Sequence, residues 1–224
     1  MIKTYFLVHR RADLSRMQFV QHWRDIHGPL SRTSPSLRRH ALKYAQNHLI
    51  WTETPRAASL DGIAELWTES PESFVRSSQN PDHQAVTRDG ENFLDRTRSR
   101  VVSVEPGGVV SETAPIKFLA FHKRREDCNA AAFLELWRSL EAGLVAGVRD
   151  GALRGFQSNT PAAAETLLGM QFAYDGLDEI WFNDLAQAAA FLRGPLRAER
   201  VSALKPLLEE ADAVEATVQE IVCL

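Results

Sequence analysis

Hydrophobic positions alternate between strand-like and helix-like periods along the first hundred residues. From Ser15, which can form a capping box with Gln18, apolar side chains recur at the helical period until Gly28-Pro29, where the helix is predicted to stop. A second helix is predicted after Ser70-Pro71, because serine suits the N-cap and proline the first helical position. Apolar and β-branched runs predict strands at residues 3–9, 42–50, 62–68 and 100–105. The predicted order is therefore strand, helix, strand, strand, helix, strand.

The same pattern occurs a second time, 114 positions further along the chain. Phe19 and Trp23 recur as Phe133 and Trp137, and a longer match joins segments 61–67 and 175–181. The equivalent strands are expected at 153–159, 177–182 and 214–222, and the equivalent helices after Asn129 and Asp184. Residues 106–115 have the Pro and Gly content of a linker. The chain is therefore predicted to contain two repeats, residues 1–108 and 116–224.

Each predicted βαββαβ unit corresponds to a four-stranded antiparallel sheet with two helices on one face, a ferredoxin-like unit. The other sheet face would be bare and apolar, which costs about 25 cal/mol per Å² in water. Two units in one chain remove this cost by packing sheet to sheet. The predicted fold class is α+β, with the tandem units forming an intrachain α+β barrel. Association of two such chains into a homodimer is compatible with this architecture.

Composition and charge exclude several classes of protein. The net charge is −3 and the basic runs are short, so a nucleic acid is not an expected partner. No apolar stretch approaches the roughly 20 residues that span a bilayer, so no membrane partner is expected and a cytoplasmic location is predicted. Cys128 and Cys223 lie far apart without metal-ligand spacing, so neither a metal site nor a disulfide is predicted.

Motifs along nearly the whole chain resemble the EthD family of dimeric α+β barrel proteins, here as two tandem copies. The resemblance is carried by residues 3–11, Leu14-Ser15, Phe19, Trp23, His27-Gly28-Pro29, residues 44–48, 61–67 and 93–95. It implies kinship with cofactor-free barrel enzymes: muconolactone-type isomerases, polyketide cyclases, decarboxylases and small monooxygenases. EthD itself is associated with ether degradation systems. Glu141-Ala142-Gly143 replaces His27-Gly28-Pro29 in the second repeat, so the resemblance does not extend to a second working site.

Histidines and positive charge are concentrated in the first repeat. Six of the seven histidines lie there: His9, His22, His27, His40, His48 and His83. Residues 1–110 carry 15 Lys and Arg against 12 Asp and Glu, whereas residues 111–224 carry 11 against 17. Histidine is the commonest acid–base group near neutral pH. This asymmetry predicts one pocket, in the first repeat, for a neutral or anionic small molecule, with the second repeat degenerate and mainly scaffold.

His27 is the first candidate catalytic residue. It follows Trp23 by four positions, so it stays near the buried stripe and faces the sheet at the predicted C-terminal end of the helix. The helix dipole would favour its protonated form by about 0.3–1 kcal/mol there, which suits a proton donor. The alternative is a histidine that only hydrogen-bonds the last helical carbonyls.

Tyr44, Gln46 and His48 share one face of the second strand by two-residue alternation. If this face looks toward the helices, the three side chains line the same cavity as His27. His48 is then the predicted catalytic partner base, and Tyr44 or Gln46 would hold a substrate oxygen. The alternative places them at the rim of the barrel without a chemical role.

Glu65 and His9 complete the candidates for substrate binding. Glu65 sits mid-strand between apolar neighbours, where an unpaired carboxylate would be costly. Because the second repeat keeps this residue as Glu179, a structural role is the main alternative for it. The expected structural role of Glu65 is an ion pair with Arg10 or Arg11 across neighbouring strands.

Three functions are compatible with these residues. The first is a cofactor-independent isomerase, cyclase, dehydratase or decarboxylase acting on a small apolar substrate, since the sequence has no nucleotide-binding loop or metal cluster. The second is a cofactor-free oxygenase, and the third is a non-catalytic protein that binds a hydrophobic small molecule. No cofactor is predicted. Haem binding is a further alternative for which the sequence carries no specific signal.

Overall fold

A computed structural model of the chain describes residues 1–50, 60–107, 113–162, 174–209 and 213–224. The strands are β1 (Ile2–Val8), β2 (Ala41–Leu49), β3 (Gly62–Thr68), β4 (Arg100–Pro106), β5 (Ile116–His122), β6 (Gly155–Pro161), β7 (Gly176–Phe182) and β8 (Val214–Val222). The helices are α1 (Arg16–His22), α2 (Gly28–Thr33), α3 (Pro35–His40), α4 (Pro71–Gln79), α5 (Gln84–Phe93), α6 (Ala130–Ser139), α7 (Glu141–Arg149), α8 (Leu185–Arg193) and α9 (Pro195–Leu204). The centre of the predicted linker, residues 108–112, lies outside the described residues.

All eight strands form one closed antiparallel barrel in the order β1-β3-β2-β8-β5-β7-β6-β4. Each repeat contributes four consecutive strands of this order. The two quartets join edge to edge, through the pairing of β2 with β8 and of β4 with β6. Closure leaves no exposed sheet edge and buries one face of every strand inside the barrel. The prediction of an intrachain α+β barrel is confirmed.

Helix starts follow the predicted capping residues in both repeats. Ser15 forms the predicted capping box with Gln18, and Ser70 accepts a hydrogen bond from the N–H of Ser73. Asn129 and Asp184 cap α6 and α8 in the same way. Local side-chain chemistry therefore sets where these helices begin.

Gly28-Pro29 does not end the first helical region, and this prediction was wrong. A π-helical turn over Trp23–His27 leads directly into α2, and the Gly28 N–H donates to the Trp23 carbonyl five residues earlier. The wider turn accommodates a proline, which has no N–H and whose ring crowds the preceding turn. His27 therefore lies inside a continuing helical region. The dipole of a free helix end does not act on it.

A tryptophan packs on a strand glycine at the same place in each repeat. A Cβ at Gly62 would overlap the Trp23 ring, whereas one at Gly176 would lie 3.1 Å from Trp137 Cη2. We expect Gly62→Ala to lower the free energy of unfolding by about 1–3 kcal/mol, because the buried Trp23 must move. Gly176→Ala is the matched control and should cost less. Chemical denaturation measures both, and equal costs would contradict the expectation.

Two buried ion pairs cross the barrel interior between the repeats. Lys3 of the first repeat pairs with Glu179 of the second, and Lys117 of the second pairs with Glu65 of the first, with Nζ to Oε2 at 2.5 Å. All four side chains are at most 1% exposed. The expected pairing of Glu65 with Arg10 or Arg11 is wrong, because Glu65 points into the barrel. Arg10 instead pairs with Asp61.

Candidate functional site

A carboxylate holds two histidines of the first repeat between the helices. Asp89 on α5 bonds His22 Nε2 at 3.0 Å and His27 Nδ1 at 2.8 Å, and both rings lie against Phe93. Burial lowers the pKa of His27, against the opposing effect of Asp89. Burial raises the pKa of Asp89, but hydrogen bonds from His27 and His22 outweigh it, so the net shift is downward. We call His22, His27 and Asp89 the Asp89 cluster.

Tyr44, Gln46 and His48 face the helices, which was the first of the two orientations expected for this strand. Gln46 Nε2 donates to the carbonyl of Trp23 at 2.7 Å, and its Oε1 bonds His48 Nε2 at 3.0 Å. Burial lowers the pKa of His48 to about 4 and raises that of Tyr44 to about 12. Both groups are therefore neutral near pH 7. The side-chain amide of Gln46 therefore links the π-helical turn to His48 through these two hydrogen bonds.

The other predicted site residues lie apart from this face. Glu65 is on the opposite face of the sheet, inside the barrel, so it does not line a cavity with His48. His9 follows β1, where its N–H donates to Ser99 Oγ at 3.5 Å. His27 and His48 each bond a different partner, so their pairing as acid and base stays a prediction.

A pocket of about 150 Å³ opens in the second repeat, between the outer face of the sheet and helices α8 and α9. Its apolar walls are Phe118, Ala120, Ile180, Phe191, Val201 and Leu204. His122, Asp178, Arg197 and Arg200 also line it. We call this cavity the α9 pocket. An engineered apolar cavity of about the same volume binds benzene, so a small aromatic molecule fits a space of this size.

Asp178 organises the polar side of the α9 pocket. Its Oδ2 accepts from His122 Nε2 at 2.9 Å and from Arg200 Nη2 at 2.6 Å, and its Oδ1 accepts from Trp137 Nε1 at 3.1 Å. Burial raises the pKa of Asp178, but Arg200 and His122 outweigh it, so that the pKa lies well below its usual range. Asp178 is therefore ionised and accepts a hydrogen bond from the Nε2–H of His122. In the neutral ring, Nδ1 is then the nitrogen that can accept a proton.

Sequence patterns did not predict this group of residues, although a comparison of the two repeats contains a signal for it. His122, Asp178 and Arg200 correspond, at the offset of 114, to Val8, Ala64 and Val86 in the first repeat. Three positions that are apolar in the first repeat thus hold a base, an acid and a cation in the second. The pocket lies in the second repeat, which was expected to be mainly scaffold. That expectation arose because most of the histidines lie in the first repeat.

Residues 11–97 of the first repeat match the EthD domain. The first repeat is an EthD domain. The second repeat has the same strand order as this EthD domain and continues the same barrel. No curated protein matches the sequence significantly. In the described ranges, no helix combines the length and apolar character needed to cross a bilayer.

Several solved structures share the fold of the whole chain, including both repeats. An anthrone oxidase-like protein superposes with a TM-score of 0.67 at 11% identity, covering 99% of this chain and 93% of its own. A putative monooxygenase from Fusobacterium nucleatum gives 0.60 at 8% identity, covering 99% and 92%. A chlorite dismutase variant from Candidatus Nitrospira defluvii gives 0.53 at 9%, covering 97% and 90%. These likenesses establish the fold alone, because the identities are so low.

Proposed function

We propose that the protein is a cofactor-independent acid–base enzyme acting on a small, largely apolar molecule with a carbonyl, lactone or phenol group. The reaction takes place in the α9 pocket. The observation that carries this proposal is that one ionised carboxylate, Asp178, holds both His122 and Arg200 at the wall of an apolar cavity. Buried acid–base groups with a specific charge partner, set in an apolar pocket, are candidates for a functional site.

His122 is the proposed base in this mechanism. Its Nδ1 takes a proton from a carbon next to a carbonyl or from a phenol oxygen, and Asp178 stabilises the resulting imidazolium through Nε2. Returning the proton to a different atom gives an isomerisation. Loss of a leaving group from the same anion gives a dehydration. The apolar walls exclude water, which strengthens the Asp178–His122 interaction.

The first repeat keeps its own candidates. A separate active site in the first repeat remains a proposal. In that site, His27 and His48 would be the catalytic residues, and Tyr44, Gln46 and His9 would bind the substrate. Against them, the amide nitrogen and oxygen of Gln46 each already make a hydrogen bond within the protein, and Glu65 faces the barrel interior. We therefore favour the α9 pocket.

A cofactor-free oxygenase is the second candidate. Phe118 and Phe191 give the α9 pocket aromatic walls, and His122 could convert a phenol to an electron-rich phenolate. An activated CH₂ group and O₂ would yield a carbonyl group and water. The names of the anthrone oxidase-like and monooxygenase structures are consistent with this class. Substrate-dependent oxygen uptake would separate it from the acid–base reaction.

The proposed function is tested by deuterium exchange into 2-indanone, an apolar ketone, followed by ¹H NMR in D₂O. We expect the protein to accelerate exchange next to the carbonyl in a saturable manner. Val201→Trp, which fills the mouth of the α9 pocket, should lower this rate at least about tenfold, equivalent to about 1.4 kcal/mol. Val145→Trp is the matched control, since both valines are 37% exposed and Val145 lies on α7, away from the pocket.

Two results would contradict the proposal. Saturable binding of 2-indanone without exchange would favour a non-catalytic binding protein. Equal exchange rates in the Val201→Trp and Val145→Trp variants would place any activity outside the α9 pocket.

A further inference from the structure

Two arginines on one face of α9 line the pocket, and each has a buried nitrogen without a hydrogen-bond partner among the described residues. These nitrogens are Nη1 of Arg200 and Nε of Arg197. Arg200 is 5% exposed. A buried guanidinium N–H that is left unpaired costs free energy comparable to a lost hydrogen bond, so such groups are rare and call for an explanation. A ligand that accepts these hydrogen bonds would supply one.

The remaining contacts fix both side chains at the pocket wall. Arg200 Nη2 is bonded to Asp178 at 2.6 Å, and Arg197 Nη2 is bonded to Glu215 at 2.6 Å. Residues three positions apart on a helix share a face, which brings the two guanidinium groups to the same side of the cavity. Each arginine therefore has one end held by a carboxylate and, within the described ranges, a buried donor without a partner.

The charged residues around the α9 pocket favour a negative ligand. Arg197, Arg200 and Lys205 line it, against the carboxylates of Asp178 and Glu215. Arg197 and Arg200 place two positive charges at the same side of the cavity. In a cavity with apolar walls this charge acts through a lower dielectric than in water, which strengthens its attraction for an anion.

We propose that the substrate of the α9 pocket carries a negatively charged oxygen, a carboxylate or a phenolate, on a single apolar ring. Arg200 Nη1 donates to this oxygen, assisted by Arg197, while the ring lies against Phe118 and Phe191. This inference rests on the proposed function and names its substrate class. It assigns Arg200 a second role besides fixing Asp178.

The test compares binding of anionic and neutral probes of the same shape by isothermal titration calorimetry at pH 8. Benzoate is paired with benzamide, and 4-nitrophenolate with nitrobenzene. We expect at least one anion to bind about tenfold or more tightly than its neutral partner, since hydrogen bonds to charged groups are the stronger ones. The pair with the larger ratio tells whether carboxylates or phenolates are preferred.

Arginine variants locate the charge that produces this preference. Arg200→Met should bring the anionic and neutral probes to within about threefold of each other, and Arg193→Met should leave the ratio unchanged. Arg193 is the matched control, because it lies exposed on α8. If Arg200→Met does not fold, Arg197→Met, at the less buried arginine, is used and should lower the ratio at least about threefold.

Several results would overturn the inference: equal binding of charged and neutral probes, no binding of either, or an unchanged ratio in the folded arginine variant. Its failure is separable from failure of the proposed function. Exchange of 2-indanone without anion preference removes only the substrate class. Anion preference without exchange removes the enzyme and leaves a binding site.

Discussion

Replacement of Lys117 by methionine is expected to lower the free energy of unfolding by about 3–5 kcal/mol. Lys117 Nζ lies 2.5 Å from Glu65 Oε2 and 2.7 Å from Glu220 Oε2, and is itself fully buried. Removing the cation takes away the ion pair of the buried Glu65, whose desolvation cost is then largely uncompensated, while Glu220 keeps its pairing with Lys43. Chemical denaturation, followed by circular dichroism, measures the change.

Lys43→Met is the matched control for this prediction. Lys43 also pairs with Glu220, at 2.8 Å, but its side chain is 21% exposed. We expect a loss below about 1 kcal/mol there, as for other partly solvated pairs. Adding Glu65→Gln to Lys117→Met should recover part of the stability, because it removes one unpaired charge. A loss under about 1 kcal/mol for Lys117→Met would contradict this account of the barrel interior.

The same ion pair predicts how stability changes in acid. Lys117 holds the pKa of Glu65 well below its usual range despite burial, which acts in the opposite direction. A carboxylate with a depressed folded-state pKa contributes stability above its unfolded pKa of about 4.3, and this contribution is lost as the pH falls further. The wild-type protein should therefore lose stability below about pH 4, and Lys117→Met should show a smaller slope there.

Local patterns predicted the secondary structure because its causes are local. Capping residues such as Ser15 and Asp184 satisfy N–H groups two or three positions away, and strand alternation depends on neighbouring residues. The constant offset between Trp23 and Trp137 then indicated a duplicated unit. Barrel closure follows because each unit has an apolar sheet face that must be buried. The π-helical turn was not predicted, and one of its contacts, the hydrogen bond from Gln46 to the Trp23 carbonyl, comes from a strand distant in sequence.

Side-chain contacts between the two repeats could not be predicted from local sequence patterns. Glu65 pairs with Lys117, which is far along the chain, whereas strand proximity had suggested Arg10. The candidate site illustrates the same limit. The number of histidines in each repeat favoured the first repeat. The α9 pocket contains one histidine, His122, which becomes a candidate base only through its contact with Asp178, and Asp178 is in turn held by Arg200. Both residues are distant from His122 in sequence.

In the proposed mechanism His122, and not His27, is the base. Both are buried histidines bonded to a carboxylate, at 2.9 Å from Asp178 and 2.8 Å from Asp89, so glutamine at either position is a matched change. Glutamine keeps a polar side chain but does not exchange protons near neutral pH. A positioned general base contributes about 10²–10⁴ in rate, so the effect of its loss should be large.

The most direct measurement is therefore the rate of deuterium exchange into 2-indanone for His122→Gln and His27→Gln, in variants shown by circular dichroism to be folded. Our account predicts a loss of at least about 100-fold for His122→Gln and a change of less than about threefold for His27→Gln. The opposite order, with the large loss at His27, would contradict it and return the active site to the first repeat.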